Sequence, residues 1–185
     1  MNIIEQIEKE VEKRCKNPEN KNGYGAWTHH IKSVVDNAIL LANRYNADVE
    51  VVTLAALLHD VAAVTKGEYA EEHHIYGADI AEELLTKLNY PEDKIELIKK
   101  CILNHRARRL TKKNTIEEIC VADADAMAHF DNIPSLFNLV YAEMNLSIDE
   151  GAKFVKEKLQ RSYNKLSKES KEFYKSKYEN AMSIF

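Results

Sequence analysis

The fold is decided by the stretch Val52-Thr53-Leu54-Ala55-Ala56-Leu57-Leu58-His59-Asp60. Its first seven residues are nearly all apolar, which predicts a helix that is buried on most sides and lies at the centre of the protein. The His and Asp that close the run place two strong metal ligands where the chain leaves its core. Imidazole nitrogens combined with carboxylate oxygens suit a divalent transition ion. This stretch therefore indicates metal-assisted hydrolysis.

Helical periodicity continues through the remaining chain, where apolar residues recur at spacings of three and four and no alternating strand pattern occurs. Only 5 Gly and 3 Pro among 185 residues argue against a turn-rich β fold. We therefore expect one all-α domain, a helical bundle covering residues 1–185. The predicted helices span residues 2–16, 28–45, 49–60, 72–88, 92–104, 116–129, 133–144, 147–165 and 167–178, with an irregular segment at 62–69 and a basic connection at 106–114.

Composition restricts the class of protein further. A hydrophobic fraction of 45%, a charged fraction of 30% and a net charge of −4 are typical of a soluble globular domain, and they argue against broad nucleic-acid or acidic-membrane binding. No apolar run reaches the roughly 20 residues of a membrane span, and no signal sequence is visible. The 3 cysteines form no C-x-x-C pair, so we expect reduced thiols and a cytoplasmic protein.

Further candidate metal ligands lie far apart in the sequence, each near a predicted helix end or on an apolar helix. They can act together only if their helices converge. A buried carboxylate needs a metal, a cation or strong hydrogen bonds, which makes Asp123 a candidate because it follows an apolar run. Asp125 is the fallback, since the two lie about 200° apart on a helix and only one can face the metal. The remaining candidates are His30, His73 or His74, and His105, whereas His29 and His129 are interpreted as cap or surface residues.

These motifs, taken in order, resemble the HD-domain superfamily of metal-dependent phosphohydrolases. The resemblance runs from about residue 28 to 130 and implies an all-helical HD-type domain with its core motifs at 28–130 and a helical cover at 131–185. It also implies a divalent metal and hydrolysis of a phosphate ester or phosphoanhydride. The matching motifs are His30-x-x-x-Val34-x-x-x-Ala38, Leu54-Ala55-Ala56-Leu57-Leu58-His59-Asp60, His73-x-x-x-Gly77-Ala78-x-Ile80-Ala81, His105-Arg106 and Ala122-Asp123-Ala124-Asp125.

By position, the resemblance assigns four metal ligands, which are His30, His59, Asp60 and Asp123. The metal stays open among Mn, Fe, Ni, Co, Mg and Zn. In some members of the family, the residues that match His73 and His105 hold a second metal or contact the phosphate. We therefore expect Asp60, His73 and His105 to be catalytic: Asp60 would orient the nucleophile, and the two histidines would donate to the phosphate or leaving oxygen.

Three departures from the family pattern affect the substrate more than the metal site. The lysine that commonly follows the His-Asp pair is missing, and Lys66 is the substitute that the sequence offers. No Gly-Tyr-Pro element occurs, which disfavours the cyclic-dinucleotide phosphodiesterase branch. No Glu directly follows Asp60, where the 5′-nucleotidase branch has an acidic residue. The basic run after His105 supplies candidate phosphate ligands, Arg106 and Arg109, because an arginine fork pairs with two phosphate oxygens.

The sequence therefore predicts a phosphohydrolase in which hydroxide on the bound metal attacks a small phosphate ester or a nucleotide. It does not resolve phosphomonoesterase, phosphodiesterase and nucleotide pyrophosphohydrolase activity, nor the oligomeric state. The main alternative is a non-catalytic HD-type module that senses a nucleotide or a metal. A third interpretation is a di-iron oxygenase, since six His and Asp positions could hold two metals.

Overall fold

The chain folds into helices throughout the part that the structure describes, residues 1–106 and 113–185, and these ranges contain no β-strand. This computed structural model confirms the predicted all-α single domain. The helices are α1 (Ile3–Cys15), α2 (Lys32–Tyr45), α3 (Val49–Leu58), α4 (Val61–Thr65), α5 (His73–Lys87), α6 (Glu92–Asn104), α7 (Ile116–Asp131), α8 (Ile133–Asn138), α9 (Ile148–Lys165) and α10 (Lys168–Met182).

Helix α3 lies at the centre of the bundle, as its sequence predicts. The carboxylate of Asp48 caps it by accepting the backbone N–H of Val51 at 3.1 Å. Every residue from Val51 to Leu58 is buried, and α3 contacts α1, α2, α6 and α7. A helix with no polar face needs neighbours on all sides. Because other helices surround α3, its carboxyl end lies close to the ends of those helices.

Two local features differ from the sequence prediction. Residues 62–69 are not irregular: α4 covers Val61–Thr65, and a 3₁₀ turn follows at Gly67–Tyr69. One helical turn is too short to show a period, but its first four residues are all buried. A π-helical turn at Trp27–Ile31 precedes α2, and another at Leu139–Glu143 follows α8. Such turns are wider than an α-helix and are frequent at functional sites.

The cysteines are free thiols, as the sequence predicts. Cys15, Cys101 and Cys120 are all buried and form no disulfide. Burial raises the pKa of Cys15 to about 11 and that of Cys120 to about 12, which keeps these thiols protonated and unreactive.

Within residues 1–106 and 113–185, no helix combines the length and the apolar character needed to cross a bilayer.

The C-terminal helices cover one side of α7. Helix α9 begins with a capping box in which Ser147 and Glu150 satisfy each other's backbone N–H groups. Asp131, at the end of α7, ties α10 to the core: one oxygen accepts from Ser33 at 2.9 Å and from Asn37 at 2.6 Å, and the other accepts from Tyr174 at 3.2 Å. Lys177 also donates to this carboxylate. Asp131 therefore joins α2, α7 and α10.

Replacing Asp131 by Asn should destabilise the protein by about 1–3 kcal/mol at pH 7, because several donors lose a charged acceptor. Burial raises the pKa of Asp131, but the hydrogen bonds from Lys177, Asn37 and Ser33 outweigh it and lower the pKa. A lowered pKa stabilises the fold above the unfolded value of about 3.9, and this stabilisation disappears as the pH falls through the folded value. Urea unfolding at pH 7 and below pH 4 should show the difference between variant and wild type shrinking on acidification. A difference that stays constant would contradict this account.

Candidate metal centre

Four histidines and one aspartate meet where five helical segments begin or end. His30 lies in the π-helical turn before α2. His59 directly follows α3, and Asp60 is the residue before α4. His73 is the first residue of α5, and His105 directly follows α6. The predicted convergence of helix ends is therefore present.

The first group of donor atoms is a triangle formed by His30, His59 and Asp60. The two Nε2 atoms of the histidines lie 3.1 Å apart, and the Oδ2 atom of Asp60 lies 3.4 Å from that of His30 and 3.3 Å from that of His59. Donor atoms held about 2.1 Å from one ion are separated by about 3.0–3.4 Å in octahedral or tetrahedral coordination. The edges of this triangle therefore fit a single divalent ion.

The second group uses the other oxygen of the same carboxylate. The Oδ1 atom of Asp60 lies 3.2 Å from Nε2 of His73 and 3.9 Å from Nε2 of His105. The two imidazole nitrogens are 3.2 Å apart. Asp60 thus contributes one oxygen to each group, which is the arrangement of a carboxylate that can bridge two ions.

Backbone hydrogen bonds fix which ring nitrogen of these histidines faces the centre. In His59, His73 and His105, the Nδ1 atom lies 2.6–2.7 Å from the backbone carbonyl oxygen three residues earlier. A carbonyl oxygen only accepts, so each Nδ1 carries the proton. In the neutral form of each ring, the Nε2 atom then presents a lone pair to the centre. Several lone pairs at 3 Å separation repel one another unless a cation lies among them, and these residues therefore fit a metal.

The electrostatics of the centre favour positive charge at the same place. Burial lowers the pKa of His59, but the adjacent carboxylate of Asp60 outweighs it and raises that pKa to about 9. Burial likewise raises the pKa of Asp60, yet His59, His30 and His73 together hold it well below its ordinary value. Burial and the nearby His59 lower the pKa of His105 to about 3. Asp60 is therefore ionised, and His105 is neutral and able to act as a ligand.

Asp125, and not Asp123, lies beside this centre. The Oδ1 atom of Asp125 is 3.5 Å from Nε2 of His30, and its Oδ2 atom accepts from Lys165 at 2.6 Å. Asp123 is buried on the other side of α7, where both of its oxygens accept the backbone N–H of Ser167 at 3.1 Å. The carboxylate of Asp123 thus stabilises the start of α10. The structure does not bring Asp123 to the centre; the fallback, Asp125, lies there instead.

His129 belongs to the centre although the sequence analysis interprets it as a cap or surface residue. Its ring stacks on that of His30 with centroids 5.5 Å apart, and its Nδ1 atom lies 3.0 Å from the hydroxyl of Ser162. His30, Asp125 and His129 form a third group of closely spaced donor atoms. The signal was present in the sequence, because Asp125 and His129 are four residues apart and share one face of α7.

The centre opens into a cavity of about 580 Å³. Arg106 and a face of α9 both line this cavity. The residues of α9 on this face recur at helical spacing: Phe154, Lys158, Arg161, Ser162 and Lys165. From the sequence, this helix is expected only as part of the helical cover at 131–185, and its cationic side chains are not among the candidate site residues.

The residues expected to bind phosphate lie in different places. Arg106 borders the cavity, donates to the backbone carbonyl of Glu71 and lies 3.3 Å from Nδ1 of His74. Lys66 is half-exposed, 3.9 Å from Glu68, and is not part of the cavity wall; its expected role as a substitute for the missing lysine finds no support. Arg109 lies outside the described residues. His73 faces the centre, whereas the buried His74 turns towards Arg106, which supports the choice of His73.

Comparison with known proteins identifies relatives of this chain and solved structures with the same fold. An uncharacterized protein of Clostridium beijerinckii is 27% identical over 106 residues, which are 51% of this chain and 68% of that protein. The crystal structure of Bacillus subtilis YpgQ in complex with ADP superimposes with a TM-score of 0.72 at 19% identity, covering 98% of this chain and 93% of that one. A crystal structure of an HD-superfamily hydrolase from Bacillus thuringiensis gives 0.69 at 21% identity, covering 98% and 92%. Both crystal structures share the fold.

The HD domain family matches residues 27–129 of the chain. This range is more than half of the sequence, and it contains Asp60, Asp125 and all five histidines of the centre, including His129. The order of these residues and their meeting at the ends of buried helices agree with the match. The chain belongs to the HD-domain superfamily.

Proposed function

We propose that the chain is a metal-dependent phosphohydrolase that acts on a small phosphate ester or a nucleotide. The observation that carries this proposal is the convergence of four imidazole Nε2 atoms on the two oxygens of Asp60, at the wall of a cavity lined by cations. Such a centre combines the ligands of a divalent ion with groups that attract phosphate.

The proposed ligands form two sets that share Asp60. His30, His59, Asp60 and Asp125 would hold one divalent ion, and Asp60, His73 and His105 would hold a second. The identity of the ions stays open among Mn, Fe, Ni, Co, Mg and Zn. Bound divalent ions supply a nucleophile at neutral pH and neutralise the charge on phosphoryl oxygens.

His73 and His105 fit the role of ligands better than that of hydrogen-bond donors to the phosphate. Each ring in its neutral form has one N–H group, and the backbone carbonyl contact occupies it. The remaining Nε2 atoms face Asp60. Asp60 would position the two ligand sets, because its two oxygens set the spacing between them. Its lowered pKa keeps this carboxylate from taking up a proton.

Arg106 is the residue that we propose for contact with the reacting phosphoryl group. It follows His105 directly and borders the same cavity. One of its terminal nitrogens is held by the carbonyl of Glu71, and this contact fixes the orientation of the planar guanidinium. The same Nη1 atom lies 3.3 Å from Nδ1 of His74, so the N–H groups on Nε and Nη2 would contact phosphate oxygens.

A nucleotide is the substrate class that we favour. The ADP complex of Bacillus subtilis YpgQ, whose fold this chain shares, supports a nucleotide as the carrier of the phosphate. The size of the cavity, about 580 Å³, is within the range of small-molecule sites.

The test is a screen of nucleoside mono-, di- and triphosphates, together with p-nitrophenyl phosphate, in the presence of each candidate metal and with identification of the products. We expect release of phosphate or pyrophosphate that depends on added metal and ceases with a chelator. Bound metal without turnover of any compound would instead indicate a sensing module. Bound iron with oxygen uptake would indicate an oxygenase.

Asp125→Asn should weaken the retention of one metal ion by about 10- to 100-fold, because the charged oxygen beside His30 is lost. Asp123→Asn is the matched control: it should leave the metal content unchanged and lower the melting temperature, since its carboxylate holds the start of α10. Metal analysis after dialysis, paired with thermal unfolding, separates the two effects. If Asp123→Asn loses metal and Asp125→Asn retains it, Asp123 is the ligand.

His105→Ala should remove one of two bound ions and leave the other, because His105 belongs to only one ligand set. Asp60→Ala should lose both, since Asp60 contributes to each set. The exposed His29, outside both sets, provides the control His29→Ala with full metal content. Metal stoichiometry measured by mass spectrometry shows how many ions each variant retains. Full retention of both ions in His105→Ala would exclude the second set.

A further inference from the structure

The face of α9 that borders the cavity carries three cationic side chains. Lys158, Arg161 and Lys165 lie on this face at spacings of three and four residues. The HD family match ends at residue 129, so these cations come from a part of the chain outside the family motifs.

The three cations differ in how strongly carboxylates of the protein already bind them. Lys165 is fully engaged, because its ammonium donates to Asp125 at 2.6 Å in a pair that is nearly buried. In the part of the chain that the structure describes, the ion pair of Arg161 is an exposed contact of 3.7 Å with Glu157 on its own helix. Exposed pairs of this kind bind weakly. Arg161 therefore retains most of its capacity to bind an anion from the cavity.

Lys158 is the most informative of the three. It is half-buried in the cavity wall, and no carboxylate of residues 1–106 or 113–185 lies within ion-pair distance of its ammonium. Burial lowers the pKa of Lys158, and the neighbouring Lys165 and Arg161 lower it further, against the opposing effect of Asp125 and Asp60. A partly buried cation without a counter-ion costs stability. Such a cost is retained at positions where a ligand supplies the missing charge.

The spacing of the cations indicates the shape of that ligand. Lys158 and Lys165 are seven residues apart, about 10 Å along α9, with Arg161 between them. Lys165 lies at the metal end, through its contact with Asp125. Within residues 1–106 and 113–185, Lys158 and Arg161 form no ion pair with the carboxylates of the centre. A phosphate that is linked to the one at the centre can therefore bind to these two cations.

We infer that α9 provides a second anion subsite, formed by Lys158 and Arg161, which selects substrates that carry two or more linked phosphates over phosphate monoesters. This inference rests on the proposed function for its reacting phosphoryl group, and it deepens that function by naming the substrate class. The linked phosphate that does not react pairs with Lys158 and Arg161, while the reacting one lies at the metal centre near Arg106.

The test compares Lys158→Met with Lys153→Met on three substrates: ATP, ADP and p-nitrophenyl phosphate. Lys153 is an exposed residue of the same helix and is not part of the cavity wall. Lys158→Met should lower kcat/KM for ATP and ADP by about 10- to 100-fold, mainly through KM, because a charged contact with a non-reacting group is lost. The loss for p-nitrophenyl phosphate should be about threefold or less. Lys153→Met should behave as wild type.

Thermal unfolding of the metal-loaded protein without substrate serves as the second measurement. Removal of an unpaired, half-buried cation should leave the melting temperature of Lys158→Met unchanged or raise it, so a loss of activity would not reflect unfolding. Equal losses for ADP and p-nitrophenyl phosphate would overturn the inference. So would a wild-type protein that hydrolyses AMP as efficiently as ADP.

Binding measurements keep this inference separate from the proposed function. If the protein hydrolyses none of these compounds, calorimetric titration with AMP and ADP still tests the subsite. Tighter binding of ADP than of AMP, lost in Lys158→Met and retained in Lys153→Met, would support the subsite while the hydrolase proposal fails. Equal affinity for AMP and ADP would refute the subsite itself.

Discussion

The carboxylate of Asp60 lies against imidazoles that reach it from several helices, with one oxygen towards His30 and His59 and the other towards His73 and His105. A buried carboxylate is costly unless cations or hydrogen bonds compensate it. Helices α2, α5 and α6 must therefore be positioned so that their histidines reach this one carboxylate. They can do so because α3 is apolar on every side and so allows helices to pack around its end. The most hydrophobic helix thus determines where the most polar cluster forms.

Helix ends suit such a cluster because they supply its supporting hydrogen bonds. The last carbonyl groups of a helix have no partner within the helix, and those three residues before His59 and His105 accept the Nδ1–H of these rings. The same contact satisfies an orphan carbonyl and fixes the ring so that Nε2 faces Asp60. A histidine in the middle of a helix would find its nearby carbonyls already occupied. Local helix chemistry therefore orients the ligands without additional side chains.

The sequence predicts the helices and most of the centre, because hydrophobic periodicity and the His-Asp pair at the end of an apolar run are local signals. It does not distinguish Asp123 from Asp125, since both follow the same apolar run and the rotation of α7 depends on its packing against α2 and α9. For the same reason the sequence misses His129. The cationic face of α9 resembles any solvated amphipathic helix until the fold shows that it borders a cavity. Lys66 illustrates the converse: proximity in sequence to His59 does not bring its side chain to the centre.

The contact between Lys165 and Asp125 has a consequence for motion as well as for chemistry. The same carboxylate faces His30 with one oxygen and the ammonium of α9 with the other, so whatever changes the charge near His30 also changes the strength with which α9 is held. A cation that binds beside Asp125 weakens the attraction of this carboxylate for Lys165. Conversely, when α9 moves away, Asp125 can interact more strongly with a cation at the centre. Occupancy of the centre and local opening of the C-terminal helices are therefore thermodynamically linked, and amide hydrogen exchange in residues 148–165 reports the state of a site that lies on other helices.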